Sequence, residues 1–306
     1  MSPIIRVGTR GSGLALTQTK AVIAALRKLA PTTEYTIETI SSVGDQHADA
    51  PLETLGIGMF TNEIEEALLN GRIDLAVHSL KDLPTETSQS LTVVPVLERE
   101  DPRDVLVNRW KASLLDLPEA ARIGTSSPRR TAQLRHGRKD VELIPIRGNV
   151  ETRIKKAGGP DYDGTVLAAA GVKRLGLSKH VAEYLSPHIC TPAPGQAALA
   201  AEARATDTDL LASIRQITHK PTAAAVEAER SILRAAGGGC QIPIGALAEM
   251  DGSSIRLFAT VTPLDGSVSY RVEIEGDIDD PEVAGRAAYQ ALLDQGAGDL
   301  MHGVTS

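Results

Sequence analysis

The feature that most limits what this chain can become is the alternation of short apolar runs with helical patterns through its first two thirds. Residues 4–8 read as a strand and residues 14–29 as an amphipathic helix. Residues 35–43, Tyr-Thr-Ile-Glu-Thr-Ile-Ser-Ser-Val, include β-branched residues and alternate like a strand. Residues 60–69 put Phe60, Ile64, Ala67 and Leu68 on one helical face, and residues 73–78 and 91–97 follow as strands. Parallel strands need long crossover connections, and helices at this spacing supply them. The expected fold class is therefore α/β, with a largely parallel sheet.

A second α/β unit starts after Arg99-Glu100-Asp101-Pro102. Its strand candidates are 104–108, 122–124, 141–145 and 165–169, separated by helical stretches such as 127–134 and 150–156. The two units are similar in length and are candidates for structural cousins. Thr191-Pro192-Ala193-Pro194-Gly195 reads as a linker. A helix over 222–236 then leads to Gly237-Gly238-Gly239-Cys240. Strand-like runs at 255–261 and 268–274 and a helix over 281–295 complete a small α+β domain. A length of 306 residues suits two or three domains.

Composition narrows the function. The 32 Lys and Arg against 39 Asp and Glu leave a net charge of −7, which argues against a general DNA binder. One Trp, five Tyr and two Phe are too few for a surface that stacks single-stranded bases, so no nucleic-acid partner is expected. The N-terminus lacks a signal-peptide pattern, and no apolar run reaches the roughly 20 residues that span a bilayer. No membrane partner and a cytoplasmic location follow as expectations. The two cysteines, Cys190 and Cys240, are expected to be reduced thiols. They lie far apart, with no Cys-x-x-Cys or His-Glu-x-x-His spacing, so no metal is expected.

Positive charge is concentrated locally. The interval from Arg122 to Arg174 holds Arg129, Arg130, Arg135, Arg138, Lys139, Arg147, Arg153, Lys155, Lys156 and Lys173. Arg135, Arg138, Lys139, Lys155 and Lys156 read as a solvated basic face. Gly124-Thr-Ser-Ser127-Pro-Arg129-Arg130 is different, because it follows a strand and opens a helix. Backbone N–H groups, hydroxyls and guanidinium forks meet there as an anion site. Arg147-Gly-Asn-Val-Glu-Thr-Arg153 repeats the construction. Neither a Gly-x-x-x-x-Gly-Lys-Ser/Thr nor a Gly-x-Gly-x-x-Gly loop occurs, so a nucleotide is unsupported. Many arginines with few lysines suit a ligand bearing several carboxylates.

Arg10-Gly-Ser12 offers a further strand–turn–helix anion site. In Asp74-Leu-Ala-Val-His78-Ser-Leu-Lys81-Asp82-Leu-Pro84, a buried-looking strand leads directly to a Lys-Asp pair at the strand end, where α/β sheets bind ligands. An ionised Asp82 there could steady a developing cation or shuttle a proton, although a salt-bridged loop has the same sequence. Three glycines before Cys240 let a large group approach its sulfur closely. A buried, inert thiol is the other reading of Cys240, and the structural one is preferred for Cys190.

Taken in order, Arg6-Val-Gly-Thr-Arg10-Gly-Ser12, Asp74 to Pro84, Gly124 to Arg130, Arg147 to Arg153, Ala170-Gly-Val-Lys-Arg174-Leu-Gly176 and Gly238-Gly-Cys240 resemble the porphobilinogen deaminase (hydroxymethylbilane synthase) family. The resemblance implies two α/β domains like the halves of periplasmic binding proteins plus a small α+β C-terminal domain. The implied boundaries are 1–98 with 195–216, 99–194 and 217–306. It also implies a dipyrromethane cofactor joined to Cys240 by a thioether, on which four porphobilinogen molecules are deaminated and joined head to tail. Hydrolysis then releases hydroxymethylbilane, and the enzyme is expected to be a monomer.

By the same resemblance, Asp82 is catalytic, while Lys81, Ser127, Arg129 and Arg130 hold the cofactor's carboxylates. Arg10, Ser12, Gln18, Arg147, Arg153 and Arg174 grip the substrate or the lengthening chain. Two departures stand out. The stretch Leu55-Gly-Ile57-Gly-Met-Phe60, read as a lid, lacks the lysines many members carry, and Ala197 stands where glycine is frequent. The alternative reading is a non-enzymatic binder of polycarboxylates or oxyanions on a two-lobed cleft. Such a binder has no use for Cys240 or for Lys81-Asp82.

Overall fold

The computed structural model describes residues 4–41, 61–237 and 243–301. The chain forms two compact units, one from residues 1–100 and 197–223 and the other from residues 101–196 and 224–306.

The first unit is built on a five-stranded sheet of order β2-β1-β3-β10-β4. Its strands are β1 (Ile4–Thr9), β2 (Glu34–Thr39), β3 (Leu75–Ser79), β4 (Leu91–Val96) and β10 (Leu199–Arg204). β1 runs parallel to β2 and β3, whereas β10 is antiparallel to both β3 and β4. Four strands therefore share one direction and one is reversed.

Because side chains alternate along a strand, the sheet has two apolar faces. Leu75 and Val77 join Val22, Ile23 and Leu26 of helix α1 (Gly13–Leu29) and Leu211 and Ile214 of a helix over Thr208–Arg215. Ala76 turns the other way, against Ile64, Ala67 and Leu68 of helix α2 (Asn62–Leu69).

The second unit repeats that plan. Its larger sheet has the order β7-β6-β8-β5-β9, from β5 (Asp104–Asn108), β6 (Arg122–Gly124), β7 (Glu142–Ile144), β8 (Gly164–Ala168) and β9 (Glu183–Tyr184). Here β5 is the reversed strand, antiparallel to β8 and β9, and it occupies the position that β10 takes in the first sheet. Leu106 packs with Leu134 of helix α3 (Pro128–Gly137), while Val105 and Val107 face Val150 and Ile154 of helix α4 (Val150–Lys156). The expected kinship of the two α/β units is borne out in this matching strand order.

The same unit contains a three-stranded antiparallel sheet, β11 (Ile244–Asp251), β12 (Ser254–Val261) and β13 (Tyr270–Asp277). One face is covered by the long helix Lys220–Ala235 and by the helix Pro281–Asp294. Those helices touch where Gly285 meets Ser231, so closely that an added Cβ would lie 1.5 Å from Ser231 Oγ.

Several groups expected on a solvated basic face instead tie this unit together. Arg135 Nη1 donates to Leu264 O at 2.6 Å, and Arg138 donates to the carbonyls of Leu114, Leu115 and Leu117. Both guanidiniums thus bridge to main-chain carbonyls distant in sequence, a role beyond that of a solvated face.

Candidate active site

In the first unit, the adjacent parallel strands β1 and β3 end side by side, and each hands over to a turn that carries polar groups. After β1, Ser12 caps α1, its Oγ accepting from Ala15 N at 3.2 Å. One turn later Gln18, buried, donates from Nε2 to Ser79 Oγ at 2.9 Å and so ties α1 to the end of β3. The single helical turn Leu80–Asp82 follows, with Leu80 and Leu83 buried as anchors and Asp82 exposed. Leu80 N donates to Ala198 O at 3.0 Å, which fixes that turn to the chain entering β10. Arg10, Ser12, Gln18, Ser79 and Asp82 line one cavity, and Lys81 lies half-buried beside Asp82.

Behind that cavity wall lies a charge sequence reading missed. Glu202 on β10 is wholly buried, with Oε2 3.1 Å from His78 Nε2. Glu65 on α2 has its carboxyl pushed up by burial and then by the charge of Glu202.

In the second unit, β6 ends at Gly124 and Ser127 caps α3, its Oγ accepting from Arg130 N at 3.4 Å. Pro128 occupies the first turn, where its missing N–H costs nothing. Ser126 Oγ donates to Ile146 O at 2.8 Å and accepts from Ile146 N at 3.0 Å, binding this turn to the one after β7. There Asn149 caps α4, accepting from Thr152 N at 2.8 Å, and Gly148 adopts φ +116°, which suits glycine. Arg147 and Arg153 stand on either side of this turn, with Arg153 Nε donating to Gly148 O at 2.7 Å.

The electrostatics of this corner are unusual. The Arg153 guanidinium is pushed down to about 10, first by burial and then by the positive charges of Arg130 and Arg147. Burial removes water that would solvate the Arg153 guanidinium, and the charges of Arg130 and Arg147 add repulsion. A ligand bearing several carboxylates would relieve that repulsion, so these residues fit a polycarboxylate cofactor such as dipyrromethane.

Arg129 and Arg130 also serve a buried partner. Asp104 Oδ2 accepts from Arg129 Nη2 at 2.8 Å, and Oδ1 accepts from Arg130 Nη2 at 2.7 Å. Burial acts to raise the Asp104 carboxyl, but the two guanidinium charges outweigh it and hold it well below the usual carboxylate range. Cys190 sits beside them, wholly buried, its thiol pushed up to about 12 by burial and then by Asp104. That environment makes it unreactive, as the structural reading of Cys190 requires. Arg174 ends a short helix over Ala169–Arg174 and is half-buried. Cys240 and the stretch from Leu55 to Phe60 lie outside the described residues.

The first unit therefore brings together Arg10, Ser12, Gln18 and Asp82, and the second brings together Ser127, Arg130, Arg147 and Arg153. Comparison with known proteins decides what such a chain is. Residues 5–212 match the family model "Porphobilinogen deaminase, dipyromethane cofactor binding domain", and residues 223–294 match "Porphobilinogen deaminase, C-terminal domain".

The chain belongs to the porphobilinogen deaminase family.

It is 46% identical over 298 residues to the porphobilinogen deaminase of Syntrophomonas wolfei, covering 97% of each chain. Identity to the Pelobacter propionicus porphobilinogen deaminase is 46% over 301 residues, covering 98% of this chain and 97% of that one. Among solved structures it is similar to the Bordetella pertussis BvgS periplasmic VFT2 domain, with a TM-score of 0.44 and 13% identity over 70% of this chain and 86% of that one. As a member of the porphobilinogen deaminase family the chain is a transferase. Among its described residues no helix is long and apolar enough to cross a membrane.

Proposed function

We propose that this protein is a hydroxymethylbilane synthase. In this reading it deaminates porphobilinogen, joins four molecules head to tail on a dipyrromethane primer held by the Cys240 sulfur, and releases hydroxymethylbilane by hydrolysis. The observation that carries the reading, beside family membership, is that Ser126 and Ile146 bind the Ser127–Arg130 turn to the turn bearing Arg147 and Arg153, where Arg153 is pushed down by burial and then by the charges of Arg130 and Arg147. Each pyrrole carries an acetate and a propionate, so every added ring brings two carboxylates for guanidiniums to hold.

When bound, the cofactor supplies a covalently anchored pyrrole end from which the chain grows. Lys81, Ser127, Arg129 and Arg130 hold its carboxylates. Arg10, Ser12, Gln18, Arg147, Arg153 and Arg174 grip the incoming substrate and the lengthening chain. Asp82 is the catalytic residue. The aminomethyl C–N bond of porphobilinogen breaks and ammonia leaves, so the ring becomes an electrophile with cationic character. The bound primer would supply the nucleophilic α-carbon for the new carbon–carbon bond, and Asp82 would accept the α-proton released there. The Asp82 carboxylate stabilises the positive charge in both stages and moves protons at pyrrole nitrogen and carbon.

We further propose three functional domains, 1–98 with 195–216, 99–194 and 217–306, acting in a cytoplasmic monomer.

Intact-mass measurement tests the reading. Protein purified from cells should exceed its sequence mass by one dipyrromethane, and Cys240→Ser should remove both the excess and the activity. Fully active wild type at its bare sequence mass would overturn it.

A further inference from the structure

We propose that Asp104 is the positioning residue for the arginine pair, an inference that rests on the reading of Arg129 and Arg130 as primer-binding side chains. Asp104 opens β5, the reversed strand of its sheet, and is wholly buried. Five donors converge on its two oxygens. Oδ2 accepts from Arg129 Nη2 at 2.8 Å and from the Cys190 thiol at 3.3 Å. Oδ1 accepts from Arg130 Nη2 at 2.7 Å, from Arg130 Nε at 3.2 Å and from Gln196 Nε2 at 2.9 Å.

Two neighbouring guanidiniums repel each other, and burial strips them of the water that would screen that repulsion. A carboxylate between them lets both stay charged and fixes the direction of each planar fork. The outer parts of the pair are also held, Arg129 Nη1 by Thr191 O at 2.5 Å and Arg130 Nη1 by Val166 O at 3.1 Å. The pair is thus set in one orientation by protein groups, with Asp104 as their shared counter-ion.

Only an acid meets that requirement. Every group facing Asp104 is a donor, so an asparagine would turn its own NH2 toward one of them and leave a guanidinium facing another donor. Gln196 holds the carboxylate from the far side, and its Nε2 also donates to Pro102 O at 2.7 Å. Asp104 is therefore fixed by a neutral group as well as by the charges it orients.

The test compares wild type, Asp104→Asn and Gln196→Met, each purified whole from cells. Three quantities are read, namely intact mass, thermal midpoint, and kcat and KM for porphobilinogen in the primer-bearing fraction. Asp104→Asn is expected to cut the fraction carrying the primer about tenfold and to raise KM about tenfold in the remainder, with kcat changed less than KM. Gln196→Met keeps the charges and removes the amide that joins the carboxylate to Pro102 O, so it should load the primer yet raise KM about threefold. Leu106→Val weakens the same strand without touching Asp104 and should lower the midpoint with KM unchanged.

A folded Asp104→Asn protein with full loading and wild-type KM overturns the proposal. If Asp104→Asn does not fold, Gln196→Met decides, and an unchanged KM there overturns the proposal too. So does a KM shift in Leu106→Val as large as that in Gln196→Met, which would mark the effect as general loosening. A wild type without excess mass would instead sink the primer reading itself, and that arm separates the two failures.

Discussion

Asp82 stands exposed at the end of a buried strand, on one helical turn pinned by Leu80 and Leu83. Its surroundings fix the backbone and leave the carboxylate to the cavity, so charge can be removed there without disturbing a packed core. Asp82→Asn should keep the thermal midpoint and the primer mass while turnover falls by about a hundredfold or more, since both cation stabilisation and proton movement are lost. Single-turnover ammonia release measures it, and a rate near wild type would take Asp82 out of the chemistry. Residue types at strand ends made this site legible, because arginines, hydroxyls and a Lys-Asp pair were written beside recognisable turns. The counter-charges were not legible. Asp104 lies 25 residues before Arg129, on strand β5 rather than on helix α3, and Glu202 lies 124 residues beyond His78, so only folding reveals either pairing. At Ala197, the departure noted in the sequence acquires a physical meaning. The residue sits at φ +73°, the left-handed region where glycine rests without strain.

Most elements of the first two thirds were readable because their periods were clean, and their ends moved by only a few residues in the structure. Three of the described strands went unread, the two-residue β9 and the longer β10 and β11, and the longer two have helix-forming sequences. β10 is Leu-Ala-Ala-Glu-Ala-Arg and β11 is Ile-Gly-Ala-Leu-Ala-Glu-Met-Asp, both rich in residues that favour helices in isolation. Each is a strand because neighbouring strands already offer ladders, β3 and β4 for β10 and β12 for β11. Tertiary pairing overrides local preference there. Small residues are exploited again between the helices Lys220–Ala235 and Pro281–Asp294. An alanine at Gly285 would put its Cβ 2.4 Å from Ala228 O as well as against Ser231. Gly285→Ala should therefore cost about 2–3 kcal/mol of stability, read by urea unfolding. A change within about 0.5 kcal/mol would mean the helices separate more freely than their packing indicates.

For the molecule as a whole, the same strand order in both α/β sheets means that one construction is used twice, with a reversed strand in the same position. In the first sheet that strand, β10, lies between β3 and β4 and bonds to both. Residues 1–100 expressed alone should therefore be unfolded or aggregated, having a gap where the sheet needs its fourth rank. Joining them through a flexible linker to residues 197–223 should restore cooperative unfolding, followed by circular dichroism. A stable, monomeric fragment of residues 1–100 would contradict this.

The reversed strand also dictates an order of events during synthesis. A ribosome releases the chain from its first residue onward, yet the sheet that starts at Ile4 cannot close until Arg204 has emerged, by which time all five strands of the second sheet are already available. The five-stranded sheet begun first is thus completed second, and its half-built edges must wait, unpaired and prone to sticking, for roughly a hundred residues of intervening sequence to pass.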